Sequence, residues 1–318
     1  MDVCEVVAVT KGFLKSEPFV RAFTHTTAKL SSVKKGCLFV AFEPACIEEA
    51  VRLGAYGVLF EKQAPISDPE IAWICVENLQ EAVFKLLYYK FLDAPLSLYK
   101  LSSLEIEIFN KLAKAPGVCA FEGDFLELLN LDLKGIHTLL LTHTPPKLTP
   151  QEIASTPPYT LLQVQLFSLS LCYKGQRHDL KISGLYATEL ARVLNLCESL
   201  GLEVHLSHLG TLSHMQPHYT NKRLELCPFG QSERILIYER HTTELPRMLD
   251  FVRTTAPYHR LEIFSQEPLE LAHTPYTDLQ DLQSLLCAKD YSLGLVLGNV
   301  PLQELWHKPT RRGLFDPL

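Results

Sequence analysis

At 318 residues the chain is too long for one small core and suggests two or three domains. Hydrophobic residues make up 47% and charged residues 21%, ordinary values for a globular protein. The net charge of −6 supplies no basic face for a phosphate backbone, which argues against nucleic acid as a partner, and the apolar runs are too short to span a bilayer.

The opening residues, MDVCEVVAVTKG, carry acids early and lack both a basic stretch and a long apolar one, so no signal peptide is expected. Nine cysteines are scattered without CxxC pairs, mostly in apolar segments. That pattern and the odd count suit reduced, buried thiols in a cytoplasmic protein.

Residues 34–62 read as strand, turn, helix and strand. The run Leu38, Phe39, Val40, Ala41 and Phe42 suits a strand covered on both faces. Ile47, Ala50, Val51 and Leu53 follow the helical period, Gly54 stops the helix, and residues 58–60 form the return strand. A further strand is predicted over 71–76 and a helix over 79–91, after which Pro95-Leu96-Ser97 reads as a linker.

In the middle of the chain, 118–121 predicts a strand, 124–129 a helix start and 139–142 another strand. Residues 159–173 partly alternate apolar with polar, as one strand or two half-buried ones. Lys174-Gly175-Gln176 is a turn, 178–182 the return strand, and Ser183-Gly184 opens a helix that ends at Gly201. The last third reads βαβαβ: strands over 234–238, 261–264 and 291–298, with helices from Thr243-Glu244 and over 278–289. That is a small Rossmann-like unit.

Gly36, LFVA at 38–41, the helix ending in Gly54-Ala55 and GVL at 57–59 resemble the N-terminal domain of the Mur ligases. Within that family they resemble the enzymes that add the third amino acid or the D-alanyl-D-alanine unit to the peptidoglycan precursor. The resemblance implies an α/β, three-domain arrangement: an N-terminal domain over 1–95, a shortened central domain over 96–230 and a Rossmann-like C-terminal domain over 231–318. In the family the first domain binds a uridine diphosphate sugar, and the second carries a G-x-x-G-K-[ST] loop that cradles ATP and magnesium.

Departures from the family pattern concentrate at the ligand positions. Thr24-His25-Thr26-Thr27 and Lys29-Leu30-Ser31-Ser32 stand where the family has Asp-Ser-Arg, and a loop with Asp-Gly is cut to Glu43-Pro44-Ala45-Cys46. The chain contains no Gly-Lys pair. At the place to look, residues 117–125, one glycine sits between Glu122 and Asp124, two acids that repel a triphosphate. Tyr186-Ala187 replaces the family's His-Asn at a helix start. Arg223, before Leu224-Glu225, resembles the Arg-x-Glu element that precedes the last domain. His241-Thr242 matches part of an Asp-Tyr-Ala-His-Thr-Pro element whose aspartate position here reads Tyr238.

No catalytic residue is assigned. The remnant ligand site expected from the resemblance is Thr26, Thr27, Arg223, His241 and Thr242, with the Glu239-Arg240-His241 triplet read either as part of it or as an ion-paired strand end. His205, His208, His214 and His218 carry enough imidazoles for zinc, but no Cys or carboxylate motif supports them, and they read as surface or interdomain histidines. Cys119 near Glu122 reads as a buried structural thiol rather than a nucleophile. Glu105 and Glu107 read as the solvent face of a helix.

The expectation is a degenerate, non-catalytic Mur-ligase-like protein that needs no cofactor. It would bind a cell-wall biosynthetic enzyme or a UDP-muramoyl peptide. The alternatives are an active ATP- and magnesium-dependent amide ligase with an unrecognised phosphate site, and an unrelated α/β binding protein.

Overall fold

A computed structural model describes residues 1–61, 64, 66–92, 95–239 and 244–306. The chain divides into two compact units, Met1–Ile106 with Ala115–Ile153, and Glu107–Lys114 with Ala154–Leu318.

The first unit contains α1 (Val3–Thr10), β1 (Phe13–Leu14), β2 (Thr26–Thr27), β3 (Leu38–Val40), α2 (Ile47–Arg52), β4 (Gly57–Phe60), β5 (Ala72–Cys75) and α3 (Leu79–Leu92). β6 (Ser97–Lys100), α4 (Ser103–Leu112), β7 (Val118–Phe121) and β8 (Thr138–Leu141) follow, the boundary between the units falling inside α4. One sheet has the order β1-β5-β4-β3-β2, parallel except for β1 at its edge. A second sheet, β6-β8-β7, is wholly parallel.

Successive strand residues point to opposite faces, and both faces of the larger sheet are covered. Leu38, Val40, Leu59 and Ile74 pack with Val83, Leu86 and Leu87 of α3 and with Leu139 and Leu141 of β8. Phe39, Val58, Phe60 and Trp73 pack on the other face with Ile47 and Ala50 of α2. This two-sided burial is why 38–41 is an unbroken apolar run. Gly54 ends α2 with φ of 100°, a left-handed conformation that costs a Cβ-bearing residue about 1 kcal/mol or more.

The second unit begins with an antiparallel sheet, order β11-β10-β9, made of β9 (Tyr159–Val164), β10 (Leu169–Tyr173) and β11 (Gln176–Leu180). Lys174 and Gly175 both take positive φ, 49° and 79°, the pairing a tight type I′ hairpin needs. After α5 (Ala187–Ser199) come β12 (Pro217–Thr220), β13 (Arg234–Glu239), α6 (Leu245–Thr255), β14 (Leu261–Ser265), β15 (Thr274–Pro275), α7 (Leu279–Ala288), β16 (Leu293–Leu297) and α8 (Leu302–Leu305). The sheet order is β12-β13-β16-β14-β15, with only β12 antiparallel. β13, β14 and β16 with α6 and α7 are the expected βαβαβ unit.

Several expectations are corrected. α1, whose start is fixed by a capping box of Asp2 and Glu5, was not expected. The expected linker at 95–97 runs into β6. The return strand of the hairpin is Gln176–Leu180, set two residues earlier by the turn. β12, which carries His218, was not expected as a strand. Glu105 is only 5% exposed and closes a capping box with Ser102, while Glu107 accepts the N–H and hydroxyl of Ser213, so neither is on a solvent face. The nine thiols are all free, and among the described residues no helix is long and apolar enough to cross a membrane.

Arg234 is a buried cation in the second unit, 4% exposed. It donates to the carbonyls of Leu286 and Lys289 at the end of α7 and lies 4.5 Å from the Tyr291 ring centroid. Such bonds satisfy carbonyls that a helix end leaves without partners. Arg234→Met is expected to lower unfolding free energy by about 1–3 kcal/mol, read from the midpoint of urea denaturation. An unchanged midpoint would show that the two carbonyls find other partners.

Candidate functional site

In open parallel sheets, ligands bind beyond the carboxyl ends of the strands. Beyond the end of β7 lie Glu122, Gly123 and Asp124, and the expected helix start is instead a single 3-10 turn, Glu127–Asn130. The Asp124 carboxylate accepts the main-chain N–H groups of Leu126 at 2.8 Å and Glu127 at 3.0 Å. Glu127 lies over Gly123, where an added Cβ would collide with its carboxylate and come within 2.7 Å of the Phe121 ring. Glu127 also pairs with Lys29.

The far end of the turn is held by another lysine. Lys90, in the last turn of α3, donates to the carbonyls of Leu128 at 3.1 Å, Leu129 at 2.8 Å and Leu131 at 2.5 Å. Those bonds use all three donors of an ammonium group. Burial pushes the amine down to about 8, opposed by the charge of Asp132. The turn is therefore closed by the chain's own charges, a carboxylate on its amides and an ammonium on its carbonyls.

Beside it lies a hollow of about 400 Å³, reached by Thr24, His25, Thr26, Lys90, Asn130 and Asp132. The Nε2 of His25 lies 3.2 Å from the carbonyl of Ser32 and its Nδ1 3.0 Å from the Thr24 hydroxyl. That pairing makes Nε2 the donor and Nδ1 the acceptor. Asn130 Oδ1 is buried and has no partner among the described residues. Thr26 lines the hollow, while the Thr27 hydroxyl is engaged with the main chain of Lys29. Pro44, in the Glu43–Cys46 segment, lines a separate hollow of about 170 Å³ with Phe42, Phe60 and Glu61.

In the second unit the notable group sits at the end of β13. The Glu239 carboxylate, 5% exposed, faces His214 Nδ1 at 3.1 and 3.2 Å. Tyr186 meets the His214 ring edge-on with centroids 6.4 Å apart. The hydrogen bond to Glu239 raises the His214 pKa. Burial opposes that shift, while the charges of Glu239, Glu107 and Glu244 support it. Burial, with Glu239 and Glu189 nearby, drives the Tyr186 phenol well above its ordinary value.

The four histidines considered for zinc divide three ways. His205 and His208 lie ring to ring at 5.1 Å, His214 is with Glu239, and His218 is 5.0 Å from the Trp306 ring. Among the described residues no three His, Cys, Asp or Glu side chains converge as metal ligands. Cys119 is half-buried, and burial raises its thiol. Arg223 has an exposed side chain in the turn after β12, its N–H donating to Asn221. His241 and Thr242, with Arg240, lie outside the described residues.

In the sequence Glu122 and Asp124 read only as repulsive charges and Lys29 only as part of a segment departing from the family pattern, while Glu127 and Lys90 do not stand out. The signal that was present is an acid at 124 three residues before Glu127, a capping pattern. The His214–Glu239 pair joins residues far apart in sequence and had no local signature.

No protein-family model matches the sequence, and no curated protein sequence does. Solved structures do match the fold. A crystal structure of MurF from Acinetobacter baumannii aligns with a TM-score of 0.58 at 10% identity, covering 96% of this chain and 97% of that one. MurF ligase from Thermotoga maritima in complex with ADP aligns with a TM-score of 0.56 at 12% identity, covering 88% and 96%. The UDP-N-acetylmuramoylalanyl-D-glutamyl-2,6-diaminopimelate–D-alanyl-D-alanyl ligase from Acinetobacter baumannii aligns at 0.54 and 11%, covering 96% and 98%. The chain therefore has the multidomain α/β fold of the Mur ligases, at a sequence distance that fits divergence.

Two measurements check the site. Lys90→Met is expected to cost about 1–3 kcal/mol by leaving three carbonyls short of a donor, and unchanged stability to urea would contradict the arrangement. His214 has a folded pKa above its unfolded value near 6.5. Its stabilisation is thus complete below about pH 6.5 and is lost as pH rises through the raised folded value. As pH rises above about 6.5 the wild-type chain should lose stability relative to His214→Gln, and parallel pH profiles would contradict the pairing.

Proposed function

We propose that this chain is a non-catalytic Mur-ligase-like protein of peptidoglycan precursor synthesis. It acts in the cytoplasm by binding a cell-wall biosynthetic enzyme or a UDP-muramoyl peptide. Segments 1–95, 96–230 and 231–318 are its N-terminal, reduced central and C-terminal parts. The fold likeness supports the setting, since the matching structures are of MurF and of a D-alanyl-D-alanyl ligase.

The observation that carries the loss of catalysis is the turn after β7. Phosphoryl transfer relies on main-chain amides, a lysine and a cation gathered around the phosphates. Here Asp124 takes two of the amides, Glu127 covers the glycine, and Lys29 and Lys90 are engaged with a carboxylate and with carbonyls. These residues do not fit a magnesium-bound triphosphate. The family's remnant positions then serve binding alone: Thr26 in its hollow and, by position in the chain, Thr27, Arg223, His241 and Thr242.

The test pairs activity with binding. Phosphate release is measured with ATP, magnesium, a UDP-muramoyl tripeptide and D-alanyl-D-alanine, and thermal unfolding with the UDP-muramoyl peptide alone. The expected result is no ATP-dependent phosphate release, with unfolding shifted upward by the peptide. A ligand at a hundred times its dissociation constant stabilises by about 2.7 kcal/mol. Phosphate release that depends on the dipeptide would establish an active amide ligase and overturn the proposal.

A further inference from the structure

β9 is the free edge of the β11-β10-β9 sheet. Its last five residues are all exposed, with Leu161 at 43%, Leu162 at 51% and Val164 at 41%. Among the described residues its main chain makes no hydrogen bond outside the ladder with β10. A strand with one row of amides and carbonyls open to water is a template for another strand, and proteins blunt such edges with charges, prolines or bulges.

β9 has none of these on its open side. From Ile153 to Tyr173 the chain carries no charged side chain, in a sequence that is 21% charged overall. The prolines at 157 and 158 precede the strand, and the irregularity at Ser170/Leu171 lies in the pairing with β10. Val164 also borders a hollow of about 450 Å³ lined with no Lys, Arg, Asp or Glu. Phe229 and Tyr258, on that hollow, are 81% and 78% exposed.

We propose that β9 is an interface for a second copy of this chain, the two strands pairing antiparallel about a two-fold axis. Leu161 and Leu162 then lie near the axis, and the two small sheets join as one six-stranded sheet. Charge selects this occupant. Two copies at −6 each repel, so they can approach most readily through a face without charge. An added strand must itself be neutral and apolar, and β9 meets that requirement. A two-fold interface is self-complementary, as a strand pairing with itself provides. A specific interface needs roughly 1,200 Å² or more in total, and the exposed Phe229 and Tyr258 rings add apolar area beside the strand. The inference goes beyond the proposed binding role and holds whether or not the chain transfers phosphate.

Sedimentation of the full chain from about 1 to 100 μM, a range that brackets micromolar affinity, is expected to show a dimer. Leu162→Lys and Leu162→Glu, at an exposed position and with circular dichroism unchanged, should each be monomeric, and their equimolar mixture should sediment as a dimer again. In the wild-type chain, amide exchange over 159–164 should slow as concentration rises. A monomer throughout the range, a dimer that survives both substitutions, or exchange independent of concentration would each overturn the proposal.

Discussion

Asp124 holding the amides of Leu126 and Glu127 is the contact on which the functional reading of this fold depends. A hydrogen bond to an ionised group is worth about 1.5–3 kcal/mol, less where the carboxylate is exposed, as Asp124 is. The amount matters less than the sign of the charge. A carboxylate on those amides occupies donors that an anion at the turn would otherwise use and adds negative charge beside them. Glu127 over Gly123 repeats the effect, because the space beside the glycine is filled by another carboxylate. Both cations around the turn already have partners, Lys29 with Glu127 and Lys90 with three carbonyls.

The fold tolerates this because its cores do not rely on the turn's chemistry. The larger sheet of the first unit is buried on both faces, and Trp73 is fully buried with its indole N–H donating to the Asp68 carbonyl. The Rossmann-like sheet of the second unit is held by Phe264, Tyr276, Leu282 and Leu286. A scaffold built this way keeps its shape when a loop at a strand end changes its charge, since loops carry function and cores carry stability.

Much of the architecture could be read from periodicity. Residues 38–41 and 293–297 are apolar without alternation because parallel strands have both faces covered, and α3, α5 and α7 show helical spacing that packing reinforces. What could not be read has physical causes. β1, β2 and β15 are two residues long, too short for a period to register. β12 carries His218 and Tyr219 on a strand that tertiary pairing with β13 imposes. Glu105 is buried by its capping role, which composition alone presents as an exposed acid. The candidate site was legible as an absence, the missing Gly-Lys pair. The closed turn after β7 was not legible, because it depends on Lys29 and Lys90, which are remote from it in sequence.

The most direct measurement is a calorimetric titration of the full chain with ATP and magnesium, repeated with ADP. With carboxylates on the amides and, among the described residues, Lys29 and Lys90 at the turn both engaged, the account predicts no saturable binding up to about 1 mM, a free energy of roughly −4 kcal/mol. Saturable binding of either nucleotide near a micromolar dissociation constant, lost on substituting Lys29 or Lys90, would contradict it.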